Sequence, residues 1–493
     1  MIIQRINSKL LYLLLKTSTF DMEKYKIYAA GRFTDTEHTL EVRRPWDGKV
    51  FAQTGIASRE ILDMAIVKAI NATEEMKALP AYKRSAILLK IAEGMTVKRS
   101  LLASTLCQEA GKPWKFSVAE VDRAIQVFRV AAEEARRIPG EYLSIDWTAA
   151  GHGKEGLVRY FPIGLTAAIS PFNFPLNLSC HKLAPAIAAG NPVILKPASQ
   201  TPVTVLELAA IIDECGLPEG ALSILPMTRE VGSQLVTDPR IRLITFTGSP
   251  EVGWKMKQEC GRKRIVLELG GNAGVVVSDS ADLELAVKKC VAGGFAYSGQ
   301  VCIHVQRIFV AEALFTAFTD QFIAASGKLR MGDPMDPETD ISSMIDESNA
   351  CRVEEWIGEA VLGGARVLSG GKRSGTWFEP TVITGTAGGM KVNDLEVFGP
   401  VVCIEPVRDF SEGISRVNDS VYGLQAGVFT NRIDEMNEAF SRLEVGGVIV
   451  NDVPTFRVDH MPYGGVKQSG FGREGVKYAI LDMMEPRLLV KNV

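Results

Sequence analysis

Residues 165–202, LTAAISPFNFPLNLSCHKLAPAIAAGNPVILKPASQTP, carry the pattern on which the fold turns. The short apolar run Leu165–Ile169 ends at a turn bracketed by prolines. A helical stretch follows over Leu176–Ala189, and Val193–Leu195 opens the next apolar run. The alternation continues through helices over Val203–Cys215 and Val231–Val236 and strands over Leu222–Leu225, Leu243–Phe246 and Ile265–Leu269. Short strands alternating with helices predict a parallel sheet with helices on both faces. After Gly270 a second series begins, with strands at Gly274–Val277, Arg307–Val310, Val401–Val407 and Gly447–Val450. Upstream, Ser58 is placed to cap a helix in which Ile61, Leu62, Ala65, Ile66, Ala69 and Ile70 share one face. Helical patterns continue through Ser85–Ala110 and Val118–Arg137. Tyr142–Trp147 and Leu157–Phe161 flank a Gly-rich turn and read as a β-hairpin. The fold class is α/β, with two strand–helix series and a hairpin.

Composition agrees with a large globular protein. The 493 residues carry 55 Lys+Arg against 58 Asp+Glu, a formal net charge of −3. Nucleic-acid and anionic-membrane partners call for a basic excess, so neither is expected. No apolar run is long enough to span a bilayer. The eight cysteines are scattered and unpaired in sequence, which reads as reduced thiols in a cytoplasmic setting. Five His, none in an H-x-x-x-H pair, give no zinc motif, and no metal site is expected. Residues 1–21, with Arg5, Lys9 and the short run Leu10–Leu15, read as an N-terminal extension rather than a signal peptide. Gly470, Gly472 and Gly475 satisfy G-x-G-x-x-G, but too little chain remains for a βαβ unit. That match is a turn.

Three segments carry chemistry: Phe295–Cys302 (FAYSGQVC), Leu267–Asn272 (LELGGN) and Ser170–Asn177 (SPFNFPLN). Each alone has a bland explanation, since a lone Cys is more often a small core residue. Together, and with Leu195–Pro202 (LKPASQTP), Phe246–Gly253 (FTGSPEVG), Glu396–Pro400 (EVFGP) and Pro462–Gly470 (PYGGVKQSG) in order, the chain strongly resembles the aldehyde dehydrogenase superfamily.

The resemblance implies a Rossmann-like cofactor domain over 22–138 and 162–269 and an α/β catalytic domain over 270–475. It implies an oligomerisation element over 139–161 and 476–493, with Arg487–Val490 adding a strand to a partner in a homodimer or homotetramer. Cys302 matches the nucleophile, whose thiolate adds to an aldehyde and lets hydride leave to NAD or NADP. Asn173 and the Cys302 backbone N–H match the oxyanion hole. Glu268 matches the base that hydrolyses the thioester, and its presence favours a free acid over acyl transfer to coenzyme A. Lys182 and Glu474 fall where some members keep a supporting ion pair, with a structural salt bridge equally open.

Ser170, Pro171, Phe172, Lys196, Ser199, Arg229, Gly232, Thr247, Gly248, Ser249, Leu269, Glu396 and Phe398 match cofactor-binding positions. Arg229 is expected in a turn before Gly232. Ser199 stands where NAD-specific members often carry Glu, so NADP is expected to be accepted at least as well as NAD. Leu178, His181, Tyr297, Val301, Ile303, Phe456, Arg457 and Tyr463 match the substrate channel. Val301, where some members place an Arg for phosphate, disfavours a phosphorylated aldehyde. Arg457 either pairs an oxygenated or carboxylate tail, as in a semialdehyde or hydroxyaldehyde, or is a solvated rim residue. The reading from another class is a retired family member kept as a binding or structural protein, against which the intact Cys302, Glu268 and Asn173 argue.

Overall fold

The computed structural model describes residues 23–493, so the extension expected over 1–21 lies outside the described residues. Two sheets organise the chain. The first contains β1 (Thr166–Ile169), β2 (Val193–Lys196), β3 (Leu222–Ile224), β4 (Leu243–Thr247) and β5 (Arg264–Glu268), all parallel, in the order β5-β4-β1-β2-β3. Nearly every residue of β1 to β4 is buried, as expected for parallel strands covered on both faces. The chain builds outward from β1 through β2 and β3, then returns to lay β4 and β5 on the other side of β1. This reversal puts a crevice beyond the C-terminal ends of β1 and β4, where ligands bind in open α/β sheets.

Three helices frame the crevice: α2 (Pro175–Ala189), α3 (Arg229–Thr237) and α4 (Pro250–Glu259); α1 (Trp114–Glu134) packs behind α2. Both edges of this sheet are antiparallel, which the strand–helix alternation did not foretell. Ile27–Ala29 and Arg32–Thr34 close the β3 side, and Gly470–Phe471 pairs with β5. The Gly470–Gly475 turn is therefore an edge strand and the entry to helix Val476–Asp482.

The second sheet runs Arg366–Ser369, β8 (Thr381–Thr384), β9 (Val401–Val407), β7 (Val305–Ala311), β6 (Ala273–Val277), β10 (Gln425–Phe429) and β11 (Gly447–Val450) in spatial order. Only Arg366–Ser369 is antiparallel to its neighbour.

Gly140–Ser144 and Lys154–Pro162 form the expected hairpin. The C-terminal strand, Met484–Asn492, pairs with Lys154–Pro162 of its own chain and forms an edge of that three-stranded sheet. The preceding helix, Val476–Asp482, explains why: Val476, Ile480 and Met483 are buried in the core cluster that contains α2, which anchors the strand beside its own hairpin. Among the described residues no helix is long and apolar enough to cross a membrane.

Candidate active site

Cys302 is delivered by a strained turn. After helix Leu283–Phe295 the chain enters the left-handed region at Tyr297 (φ 49°), Ser298 (φ 54°) and Gly299 (φ 69°). Two non-glycine residues there cost about 1–3 kcal/mol each and persist only where the surroundings hold them. Tyr297 Oη donates to Ala110 O at 2.9 Å, Ser298 Oγ to Ser342 O at 2.6 Å, and Ile345 N to Gln300 Oε1 at 2.9 Å. At Gly299 a Cβ would lie 2.0 Å from Gly399 O, so no larger residue fits. The turn leaves Cys302 Sγ 3.2 Å from Tyr463 Oη. Burial pushes the thiol up to about 11, against a hydrogen bond from Tyr463 that works the other way.

Asn173 follows β1 and is buried. Its Nδ2 donates to Gln300 O at 2.9 Å, which places the amide against the Cys302 turn and leaves its second N–H for another acceptor. Sequence reading missed what holds this segment. Lys112 Nζ donates to Asn173 O at 2.6 Å, lies over the Phe174 ring at 3.8 Å and the Tyr297 ring at 4.4 Å, and forms a fully buried ion pair with Glu120. Glu120 Oε1 accepts from Leu176 N at 3.0 Å and Asn177 N at 3.1 Å, satisfying free N–H groups of the first turn of α2. The signal was present: Glu120 sits on the apolar face of α1 with Val121, Ala124 and Phe128.

Glu268 ends β5, and neither carboxylate oxygen has a hydrogen-bond partner. Burial, then the neighbouring Glu474, hold its carboxyl well above the ordinary range. Gly464 (φ 152°) makes room for it, since a Cβ there would sit 2.8 Å from Glu268 Oε1. Lys182 and Glu474 do pair, at 2.9 Å and buried. Against burial, Lys182 and Arg457 hold the Glu474 carboxyl far below its usual range.

The structure overturns the rim reading of Arg457. Its side chain is 6% exposed, 3.1 Å from Glu474 Oε2, and its guanidinium lies over the Tyr463 ring at 3.6 Å. Its Nε is buried without a partner. His181 Nε2 bonds Asp459 Oδ1 at 2.8 Å, and Arg123 reaches the same oxygen at 2.7 Å. Burial and then Arg457 lower His181 from its ordinary value, against the bond to Asp459. Asp459 and Arg123 were not expected here. Val301, Ile303 and Tyr463 join Leu424 in one buried cluster touched by Phe174, Met461 and Cys302. Leu178 is buried, Phe456 exposed, and Tyr297 stands behind the cluster, edge-on to Phe174 at 6.2 Å.

The cofactor-position residues gather at the crevice. Ser249 is the residue before α4, its hydroxyl making no cap, so the helix N-terminus and that hydroxyl face outward together. Thr247 Oγ1 accepts from Lys182 at 2.7 Å, and Gly248 N donates to Glu268 O at 3.1 Å, tying β4 to the Glu268 backbone. Leu269 fills the space under Gly253. Ser170 Oγ accepts from Ser179 Oγ at 2.9 Å and Ser170 N donates to Lys196 O. After Pro171, Phe172 meets Phe398 edge-on at 5.8 Å. Phe398 is left-handed (φ 48°), a third strained non-glycine residue at the site. Glu396 Oε1 accepts from Gly271 N at 3.0 Å; burial pushes its carboxyl up to about 7, against that bond.

The Lys196 stem lies where a Cβ on Gly232 would meet it at 3.0 Å. Burial and then the charge of Arg229 lower its ammonium from the ordinary value, and Ser199 is exposed. Arg229 opens α3 instead of lying in a turn, because Thr228 caps the helix by accepting from Val231 N. The crevice suits a dinucleotide: a helix N-terminus with a free hydroxyl matches pyrophosphate, and the Lys196–Gly232 floor admits close approach. Among the described residues no group of His, Cys, Asp or Glu gathers as metal ligands.

Comparison with known proteins gives one family. The model of the aldehyde dehydrogenase family matches residues 33–489. A 3-sulfolactaldehyde dehydrogenase from Priestia megaterium is 42% identical over 478 residues, covering 97% of this chain and 100% of that protein. The structure of aldehyde dehydrogenase 21 from Physcomitrella patens, in complex with the reaction product succinate, is similar at a TM-score of 0.95 and 44% identity, covering 96% of this chain and 99% of that one. A glyceraldehyde-3-phosphate dehydrogenase from Methanocaldococcus jannaschii complexed with NADP matches at a TM-score of 0.89 and 37% identity, over 92% of this chain and 99% of that one.

Proposed function

The chain belongs to the aldehyde dehydrogenase family and oxidises an aldehyde with NAD or NADP as acceptor, and from that premise we propose its substrate class and the roles of its residues. The substrate is a short hydroxyaldehyde or semialdehyde with an anionic tail. Cys302 Sγ adds to the carbonyl carbon, and the Asn173 amide and the Cys302 backbone N–H take the charge that develops on oxygen. Bound in the crevice, NAD(P)⁺ supplies the hydride acceptor. Glu268 then takes a proton from water as that water attacks the Cys302 thioester, releasing a carboxylic acid. Glu474, with Lys182 and Arg457, provides the charged neighbourhood into which Glu268 returns its proton.

The single observation behind the anionic tail is Arg457 itself: a buried guanidinium whose Nε is a donor with no acceptor among the described residues. Burying such a donor is costly unless a ligand completes it. The sulfonate of 3-sulfolactaldehyde and the carboxylate of succinate, named in the two relatives, are anions of that kind.

Arg457→Leu should raise the KM for carboxy- or sulfo-aldehydes on the order of tenfold to a hundredfold, the worth of a charged hydrogen bond. Alkyl aldehydes of equal length should keep their KM, any loss on them falling on kcat through Glu474 and Tyr463. A panel of alkyl, hydroxy-, carboxy- and sulfo-aldehydes assayed with both proteins makes the comparison; equal losses on all of them would remove the anionic tail from this reading.

Lys196, Arg229 and an uncharged Ser199, all at positions that match the cofactor site, suit a 2′-phosphate. NADP⁺ should be used at least as well as NAD⁺, and Ser199→Glu should reverse the preference by setting a carboxylate against the phosphate. The kcat/KM values for both cofactors test it, and a hundredfold wild-type preference for NAD⁺ contradicts it. Leu488, Leu489 and Val490, each about half exposed on the three-stranded sheet, suit burial against a second copy, which sedimentation would report.

A further inference from the structure

Cys302 has an apolar setting in which one polar hydrogen reaches its sulfur. Val301, Ile303, Leu424, Phe174 and Met461 surround it with side chains that donate nothing. The exception is Tyr463, whose hydroxyl lies 3.2 Å from Sγ and has no other hydrogen-bond partner among the described residues. The phenol is fixed. Tyr463 and Glu474 exchange backbone hydrogen bonds of 2.9 and 2.6 Å, and the Arg457 guanidinium covers the ring face at 3.6 Å. A cation on the face draws density from the ring and sharpens the O–H as a donor. An ionised sulfur accepts only, so the direction of the bond is settled once the thiolate forms.

We propose that Tyr463 is a catalytic residue whose hydroxyl donates to the Cys302 thiolate and holds the charged sulfur in place for attack. Tyr463 stays protonated throughout; the thiol proton leaves to solvent before the C–S bond forms. This role deepens the reading of Cys302 as nucleophile and rests on it. The other possibility is that Tyr463 is an apolar wall whose oxygen happens to lie near sulfur.

Tyr463→Phe separates the two, because it keeps the ring, its volume and the Arg457 stacking. The readout is the pH dependence of Cys302 alkylation by iodoacetamide, followed on the Cys302 peptide by mass spectrometry in a Cys351→Ser background, Cys351 being the exposed thiol. The expected result is an inflection about one pH unit higher and alkylation roughly tenfold slower below it, the effect of losing one charge-assisted hydrogen bond. The burst of reduced cofactor should slow by the same factor at neutral pH and recover at high pH. Placing 3-fluorotyrosine at 463, a stronger donor, should move the inflection down. An unmoved inflection in both proteins, or faster alkylation in Tyr463→Phe, overturns the proposal. Alkylation reports thiol acidity whether or not Cys302 is the nucleophile, so that failure is distinct from activity surviving in Cys302→Ala.

Discussion

Cys302→Ala is expected to abolish aldehyde oxidation, while Glu268→Gln releases one equivalent of reduced cofactor and then stalls. The order of events makes the two variants differ. Hydride leaves the Cys302 adduct before any water is needed, so the base matters in the second half of the cycle. The geometry supports that division: the thiol bonds Tyr463 and not Glu268, and both Glu268 oxygens are buried with no partner among the described residues, so neither is tied up by another group. A general base is worth about 10²–10⁴ in rate, so steady turnover of the Gln variant should fall by at least the lower figure. The pH response follows from the raised Glu268 carboxyl. Its basic form grows as pH climbs above the ordinary carboxylate range, so wild-type deacylation rises with pH. In Glu268→Gln that rising limb disappears. Rapid-mixing traces of reduced-cofactor absorbance over a pH series measure both features. Undiminished steady turnover by Glu268→Gln would take the base role away from that residue.

The parallel strands and the segments that hold the candidate site could be read from sequence because both are local signals. β1 to β5 are short apolar runs between helical patterns, and Cys302, Glu268 and Asn173 lie in segments whose glycines and prolines set them apart. The residues that escaped are those whose meaning depends on who meets whom. Lys112 and Asn173 are 61 positions apart, and Arg123 and Asp459 are 336 apart. Lys112, Arg123 and Asp459 each look like an ordinary surface charge until the fold joins them to their partners. Arg457 shows the same limit, since nothing near it in sequence announces that it will be buried on Tyr463 and Glu474. The pairing of the C-terminal strand shows a related limit: a β run calls for an edge, but which edge of its own chain it meets is decided by the core packing of Val476–Asp482.

Lys112→Met should lower stability by about 3–5 kcal/mol, because it strands the Glu120 carboxylate in a fully buried site. Two backbone N–H groups still bond Glu120, but they cannot replace the full charge of the ammonium. The same substitution frees Asn173 O and the faces of Phe174 and Tyr297, so the amide facing the Cys302 turn loses its anchor. Activity should therefore fall in kcat even at temperatures where the variant is folded, since the Asn173 donor acts on charge that develops only in the transition state. Adding Glu120→Gln should restore most of the stability, because removing both charges of a buried pair is far cheaper than removing one, and the Gln oxygen still accepts from α2. It should not restore kcat, because nothing then holds Asn173 O. Thermal unfolding of the single and double variants, paired with kcat for each, tests the two effects separately. A double variant as unstable as Lys112→Met means that the stranded charge is not the cause. One that regains full kcat means that Lys112 does not position Asn173.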